Sequence, residues 1–571
     1  MKYSLIYKKS KSLIHYRKEY YEENSLQNQP GNSPDSFMLL FWLFRKKHPQ
    51  NDWSYRRCIM LNLDGIWDFA YCQNLEETPE YSSVASVPGC FDAMGLRFNQ
   101  RGFAYYRRKV KVQQGRQRLR IGSFGLRAAV FWDGDLIAES ALAWSPLTAE
   151  FSASVGEHEL VIRTDNLLER HPLFREYYDF YGFGGIYDHV TLEPVEPVEI
   201  RYLAVIPLNH ETGEVEIRVE TDAPVLTIRF DEQPEIQMKT APKIRLRVPD
   251  FRLWSPETPF LHKLTVNGKE TEFGIRTIDW HGDHLKLNGK KLQLRGVNRH
   301  ESHPEFGPAT PESLIASDLL QIKRAGFNFV RGSHYPQREF FFRMCDRLGI
   351  LVWEEPLSWG NPVQDLSDSR FMDTLAEQLE LTIRTSINHP SLLIHGFLNE
   401  CASNTEPGVE AVRRLMNICH EIDPSRPATF ASNRPHTDRC LDLTDIIALN
   451  VYPAWYGEEK IAEIPAFLDS LAEKFQGKPR IISEIGAAAI CGDHSGAPWS
   501  EEYQTEYIHT VMDSIEKNPA WSGVILWLFC NANTYTGTTG KVMRPRGFNN
   551  KGLLDEYRRP KQSWLLFDRK N

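Results

Sequence analysis

What most constrains this 571-residue chain is a pattern in its second half. From about residue 277, apolar runs of strand length alternate with helical segments, and eight such runs occur: Leu292–Gly296, Phe327–Arg331, Ile350–Glu354, Leu393–Leu398, Ala428–Ala431, Ile446–Leu449, Arg480–Ser483 and Gly523–Trp527. Strand–helix alternation implies parallel pairing, since each helix returns the chain across a sheet face, and eight repeats in about 295 residues match a closed TIM (β/α)8 barrel. The helical segments carry their own signals. Thr310 and Pro311 fit an N-cap and first helical position, Leu314, Ile315, Leu319 and Ile322 share one face, and Gly326 ends the run. In such a barrel, polar residues just past the C-terminal strand ends are the catalytic candidates.

Upstream the period changes to two. Over residues 56–195, runs such as Ala104–Val112, Leu119–Ile121 and Leu160–Arg163 are broken by Gly, Asp and Pro turns, which predicts an all-β sandwich of jelly-roll type. Residues 196–276, with Glu214–Val219, Val225–Phe230 and Lys243–Val248, suit a second, immunoglobulin-like sandwich. Residues 1–55 show no sustained period and are expected to form an accessory or poorly ordered extension. The expected architecture is therefore multidomain: the extension, two all-β sandwiches, and a barrel over 277–571.

Composition narrows the partners. Lys and Arg number 67 against 75 Asp and Glu, a net charge of −8 that offers no basic footprint for nucleic acid. The nine cysteines are an odd set, widely spaced and without metal-ligand spacing, as in a reduced cytoplasmic protein. The run Phe37–Phe44 is far short of the ~20 residues of a membrane span and precedes no cleavage site, so neither a membrane anchor nor a signal peptide is expected. No metal and no cofactor is called for, since ligand clusters and Gly-rich phosphate loops are lacking. Aromatics reach 12%, including 14 Trp and 22 Tyr, and flat rings suit the apolar faces of sugars.

The strand ends carry a dense polar set: Asn298 to Glu301, His334, Glu354 and Glu355, Asn399 and Glu400, Asn450 and Tyr452, Glu484, and Trp527. Glu400 and Glu484, on strands four and seven, face each other across the mouth, as glycoside hydrolysis requires: one carboxyl protonates the leaving oxygen while the other attacks or directs water. Asn399 fits a sugar hydroxyl, and Tyr452, Trp455, Tyr456 and Trp527 fit a platform. Adjacent Glu354 and Glu355 point to opposite faces and are ranked as structural or supporting. His300, His303 and His334 read as hydrogen-bond donors to substrate or carboxylates.

Several segments, in order, resemble glycoside hydrolase family 2 over roughly residues 60–571: Gly296-Val-Asn-Arg-His-Glu301, Phe329-Val-Arg-Gly-Ser-His-Tyr-Pro336, Cys345-Asp-Arg-Leu-Gly-Ile-Leu-Val-Trp-Glu354, Asn388-His-Pro-Ser391 with Leu398-Asn-Glu400, and Ile482-Ser-Glu-Ile-Gly486. The resemblance implies Glu400 as acid/base and Glu484 as nucleophile in a retaining mechanism. Tyr178–Gly185, Asn450–Tyr456 with Trp499–Gln504, and Asn549-Asn-Lys-Gly552 resemble the β-glucuronidases of that family. That likeness implies a glucuronide substrate whose carboxylate is gripped by Asn549 and Lys551; Arg544 and Arg546, just after strand 8, add cations that would offset the two glutamates at that end of the sugar, and Asp179 is a further candidate contact. Gly396-Phe-Leu before Asn399, Cys401 after Glu400, and Arg544-Pro-Arg546 depart from the pattern and keep β-galactosidase and β-galacturonidase readings open. Homo-oligomerisation is left open as well.

Overall fold

The computed structural model describes residues 60–169, 171–535 and 544–567; the extension expected at 1–55 and its apolar run lie outside the described residues. Period-two patterning gives two sheets in the first β region. One has six strands in the order 83–87, 65–72, 103–112, 156–165, 127–132, 135–140, and the other has four, in the order 61–62, 190–194, 115–121, 147–153. Their inward residues, among them Trp67, Tyr106, Leu119, Ile121, Val130, Leu160 and Ile162, form one apolar core. A second sandwich pairs a three-stranded sheet (200–209, 214–221, 243–247) with a four-stranded one (236–239, 225–230, 262–266, 269–273). Val205, Val215, Ile217, Leu226, Ile228 and Leu264 fill its interior.

The eight predicted strands close into one parallel barrel: β1 Leu294–Arg299, β2 Phe329–Gly332, β3 Leu351–Glu354, β4 Leu392–Asn399, β5 Ala428–Ser432, β6 Ile447–Asn450, β7 Arg480–Ile485 and β8 Gly523–Leu526. Every residue of these strands except Arg295 is buried, which is why they read as continuous apolar runs without alternation. Phe329, Leu351, Trp353, Ile394, Ala448, Ile481 and Ile525 pack together within the barrel core. The helix after β1 spans Glu312–Arg324, one residue later than the Thr310 and Pro311 signals suggest. Pro311 is its N-cap, and the Thr310 hydroxyl donates instead to the Glu301 carboxylate, which Arg299 (2.7 Å) and Arg338 (3.0 Å) also hold. A buried ion network outcompetes the local cap.

Residues 173–187 leave the first sandwich and pack on the barrel. Phe174, Tyr178, Phe180 and Tyr181 share a core with Tyr335, Leu357 and Phe397, Trp144 stacks on Tyr335 at 4.3 Å, and Arg338 donates to the Tyr187 carbonyl (3.0 Å). This contact brings Asp179 to the barrel rim. Among the described residues no helix is long and apolar enough to cross a membrane.

Candidate active site

Glu400 directly follows β4 and has φ +52°, a left-handed conformation uncommon for a residue with a side chain. Its N–H donates to the Ala431 carbonyl (2.8 Å), and Arg434 donates to its carbonyl (3.3 Å), so neighbours fix the turn. Strain of this kind costs about 1–3 kcal/mol and persists only where the surroundings over-determine it. The Glu400 carboxylate accepts from Asn450 Nδ2 (2.9 Å) at the end of β6, and Asn450 Oδ1 accepts from Ser483 Oγ (2.8 Å) on β7. Burial, then the charge of Glu484, pushes the Glu400 carboxyl up to about 7.

Glu484, on β7, is 4% exposed and held on both oxygens. Arg331 Nη1 donates to Oε1 and the Tyr452 hydroxyl to Oε2, both at 2.7 Å. Burial raises its carboxyl, while Arg331 and Tyr452 pull the other way and favour the ionised form. Arg331, fully buried on β2, organises this side of the barrel. Its Nε and Nη2 bind Glu355 (3.1 and 2.9 Å), Nη2 also reaches Asn399 Oδ1 (2.8 Å), and Nη1 approaches Asn298 Oδ1 (3.3 Å). Glu355 additionally faces His334 Nδ1 at 2.7 Å, and burial pushes this carboxyl up to about 7 against the pull of Arg331. Among the described residues Asn399 Nδ2 and His334 Nε2 have no hydrogen-bond partner, two buried polar atoms in want of one. Trp527 stacks on the His334 ring at 5.3 Å.

A cationic corner adjoins this centre. Lys551 is 2% exposed; its ammonium donates to the Tyr456 hydroxyl (2.6 Å) and lies 5.4, 5.8 and 4.8 Å from the ring centres of Tyr452, Trp455 and Tyr456. Among the described residues no carboxylate lies within ion-pair distance of it, and burial lowers its pKa, as does Arg544. Burial alone would raise the Tyr456 phenol, but Lys551 and Arg544 outweigh it and leave the phenol below its ordinary value. Arg544 is paired with Asp179, its Nε donating to Oδ1 (2.8 Å), and Asn549 Nδ2 donates to Asp179 Oδ2 (3.1 Å).

The model of the TIM barrel domain of glycosyl hydrolases family 2 matches residues 278–568. The chain belongs to glycoside hydrolase family 2. A β-glucuronidase of Streptococcus agalactiae is 27% identical over 88% of this chain and 94% of its own. A family 2 β-galacturonidase from Eisenbergiella tayi, solved bound to galacturonate, superposes with a TM-score of 0.82 at 31% identity, covering 90% of this chain and 96% of that one. A β-glucuronidase of Faecalibacterium prausnitzii gives 0.81 at 26% identity, with 92% and 98% covered.

In this glycoside hydrolase the geometry gathers Glu400, Glu484, Asn399, Asn450, Tyr452, His334 and Trp527 in one mouth, with Lys551, Tyr456, Asn549 and Asp179 beside it. Arg546 is not among them. Its Nη1 binds Glu556 (2.7 Å) and its side chain is 49% exposed, because the left-handed backbone at this residue (φ +61°) turns it towards that buried carboxylate. Tyr452 is bonded to Glu484 through its hydroxyl, a role the platform reading did not include. His303 Nδ1 accepts the Glu305 N–H (3.2 Å), which leaves the ring hydrogen on Nε2. His300 Nδ1 meets the Tyr335 hydroxyl (3.1 Å). Glu354 and Glu355 do face apart, Glu354 towards the Gln337 N–H (3.1 Å) and Glu355 towards Arg331. Arg331 is the residue that sequence reasoning missed; its signal is a cation inside an otherwise apolar strand, which demands buried anions. Arg544 belongs to the cation cluster the sequence points to, but its partner Asp179, 365 residues away, is set by the fold.

Proposed function

We propose that the chain is a retaining exo-β-hexuronidase that hydrolyses terminal β-D-glucuronides, with Glu484 as nucleophile and Glu400 as acid/base. Glu484, kept anionic by Arg331 and Tyr452, attacks the anomeric carbon while protonated Glu400 gives its proton to the leaving oxygen. Water, deprotonated by Glu400, then releases the sugar. Asn399 Nδ2 supplies a free donor for a ring hydroxyl.

The observation that carries the substrate reading is Lys551, a buried ammonium boxed by aromatic rings and with no carboxylate partner among the described residues. A buried charge is costly unless paired, and the C6 carboxylate of a uronide supplies the missing anion. The likeness to a β-galacturonidase favours a second reading in which the same carboxylate is held and the C4 hydroxyl is axial. Eight free cysteines among the described residues, seven of them buried, support a reducing, cytoplasmic setting. The jelly-roll and immunoglobulin-like assignments of the two sandwiches, which carry the domain boundaries 56–195 and 196–276, belong to the same proposal.

Parallel assays of p-nitrophenyl β-glucuronide, β-galacturonide, β-glucoside and β-galactoside test it. Lys551→Ala is expected to cut kcat/KM on the preferred uronide by about 10- to 150-fold, the worth of a charge-assisted hydrogen bond at ~1.5–3 kcal/mol, and to leave any turnover of the neutral sugar nearly unchanged. Equal losses on both would refute the carboxylate reading.

A further inference from the structure

We propose that Glu355 is a positioning residue that locks His334 in the tautomer protonated on Nδ1, leaving Nε2 as a bare acceptor for a hydroxyl hydrogen of the sugar beside Glu484. This rests on the glycosidase reading above and deepens it by assigning donor and acceptor roles within the mouth.

The His334 ring is 1% exposed, and burial, then Arg331, holds its pKa well below the ordinary value, so the imidazole is neutral and carries one N–H. Its Nδ1 lies 2.7 Å from Glu355 Oε1. That carboxylate is already engaged by the Arg331 fork, Nε to Oε2 at 3.1 Å and Nη2 to Oε1 at 2.9 Å. Above about pH 7, where Glu355 is ionised, a carboxylate so held has only lone pairs to offer, so the hydrogen sits on Nδ1. Arg331 Nη2 also passes 3.3 Å from Nδ1, but its hydrogens are directed to Glu355 and to Asn399 Oδ1 (2.8 Å). The ring cannot turn to exchange its nitrogens: Trp527 stacks on it at 5.3 Å, Phe180 packs at 5.9 Å and His300 meets it edge-on at 5.4 Å.

The other nitrogen, Nε2, is buried without a partner among the described residues and lies 4.0 Å from Glu484 Oε1. Two acceptors side by side with no hydrogen between them require a donor, and a sugar hydroxyl provides one. The charged groups that act on this ring are Arg331, Glu355 and Glu484, with Asp179 and the neighbouring His300 at longer range. One carboxylate thus does two things: it squares the Arg331 fork against the nucleophile, and it sets the polarity of a substrate contact.

The test is the proton-coupled 15N spectrum of the full chain labelled with 15N-histidine, with His334 assigned by the signals lost in His334→Gln. Recorded above about pH 7, where Glu355 is ionised, the unliganded wild type is expected to show Nδ1 protonated and Nε2 bare. In Glu355→Gln the amide can present N–H to Nδ1, so the spectrum is expected to shift towards the Nε2-protonated form. At the same time kcat/KM on p-nitrophenyl β-glucuronide should fall by about ten-fold or more. A His334 protonated on Nε2 in the wild type, or a tautomer unmoved in a folded Glu355→Gln, overturns the proposal. If that variant does not fold, the wild-type spectrum still decides. The spectrum is independent of which sugar is hydrolysed: an Nδ1-protonated His334 in a chain inactive on uronides would sink the substrate reading and leave the positioning role standing.

Discussion

At the residue level the two central carboxyls have one task each because their partners differ. Glu400 accepts one neutral amide bond, and burial and the charge of Glu484 hold it at about 7; Glu484, raised by burial too, receives a guanidinium and a phenol that favour its ionised form. With the proposed roles, the active form needs Glu484 ionised and Glu400 protonated. As pH rises, kcat/KM should therefore first increase as Glu484 ionises and then decrease above about 7 as Glu400 loses its proton. In Glu400→Gln, assayed on an aryl glycoside whose leaving group needs no proton, the alkaline limb should vanish while the acid limb stays. An alkaline limb that survives this substitution would assign it to another group, Glu355 being the first alternative, since burial holds it at about 7 as well.

At the level of elements, the barrel strands must place side chains to within fractions of an ångström, and small residues make room for them. Gly396, midway along β4, leaves the space that the Trp353 indole of β3 occupies: a Cβ there would meet Nε1 at 2.0 Å. That indole lies under Arg331, 4.8 Å from ring centre to guanidinium carbon. Gly396→Ala should therefore cost about 1–3 kcal/mol of stability through overpacking, read as a lower urea midpoint, and should lower kcat as well because Arg331 shifts against Glu484. A fall in stability with unchanged kcat would show that the indole yields without disturbing the arginine. The Gly396 position was visible in the sequence as a departure from the family pattern. Its reason lies in the neighbouring strand and was not.

For the molecule as a whole, the first sandwich contributes to the mouth. Residues 173–187 bury Phe174, Tyr178, Phe180 and Tyr181 against the barrel and deliver Asp179 to Arg544 and Asn549. A barrel expressed alone as residues 277–571 would expose that aromatic face and lose the partner of Arg544. It is expected to bind 8-anilinonaphthalene-1-sulfonate strongly and to hydrolyse uronides at under about 1% of the full chain's rate, the loss of two or more buried contacts at ~1.5–3 kcal/mol each. A barrel that stays dye-silent and retains its activity would show the sandwich to be dispensable.

The eight strands, their order and the rim on which Glu400 and Glu484 stand were determined by sequence alone, because buried parallel strands read as apolar runs and the residues past their ends are polar. Local chemistry was less binding wherever a distant charge competed for the same atom. Thr310 gave up its cap to Glu301, and Arg546 turned to Glu556. Which carboxylate holds Arg331, which rings surround Lys551 and which groups face the two nitrogens of His334 were decided only in three dimensions. Each depends on groups brought together from separate strands, loops or domains, and in a buried site the strongest available ion pair or hydrogen bond prevails over the preference of the local chain.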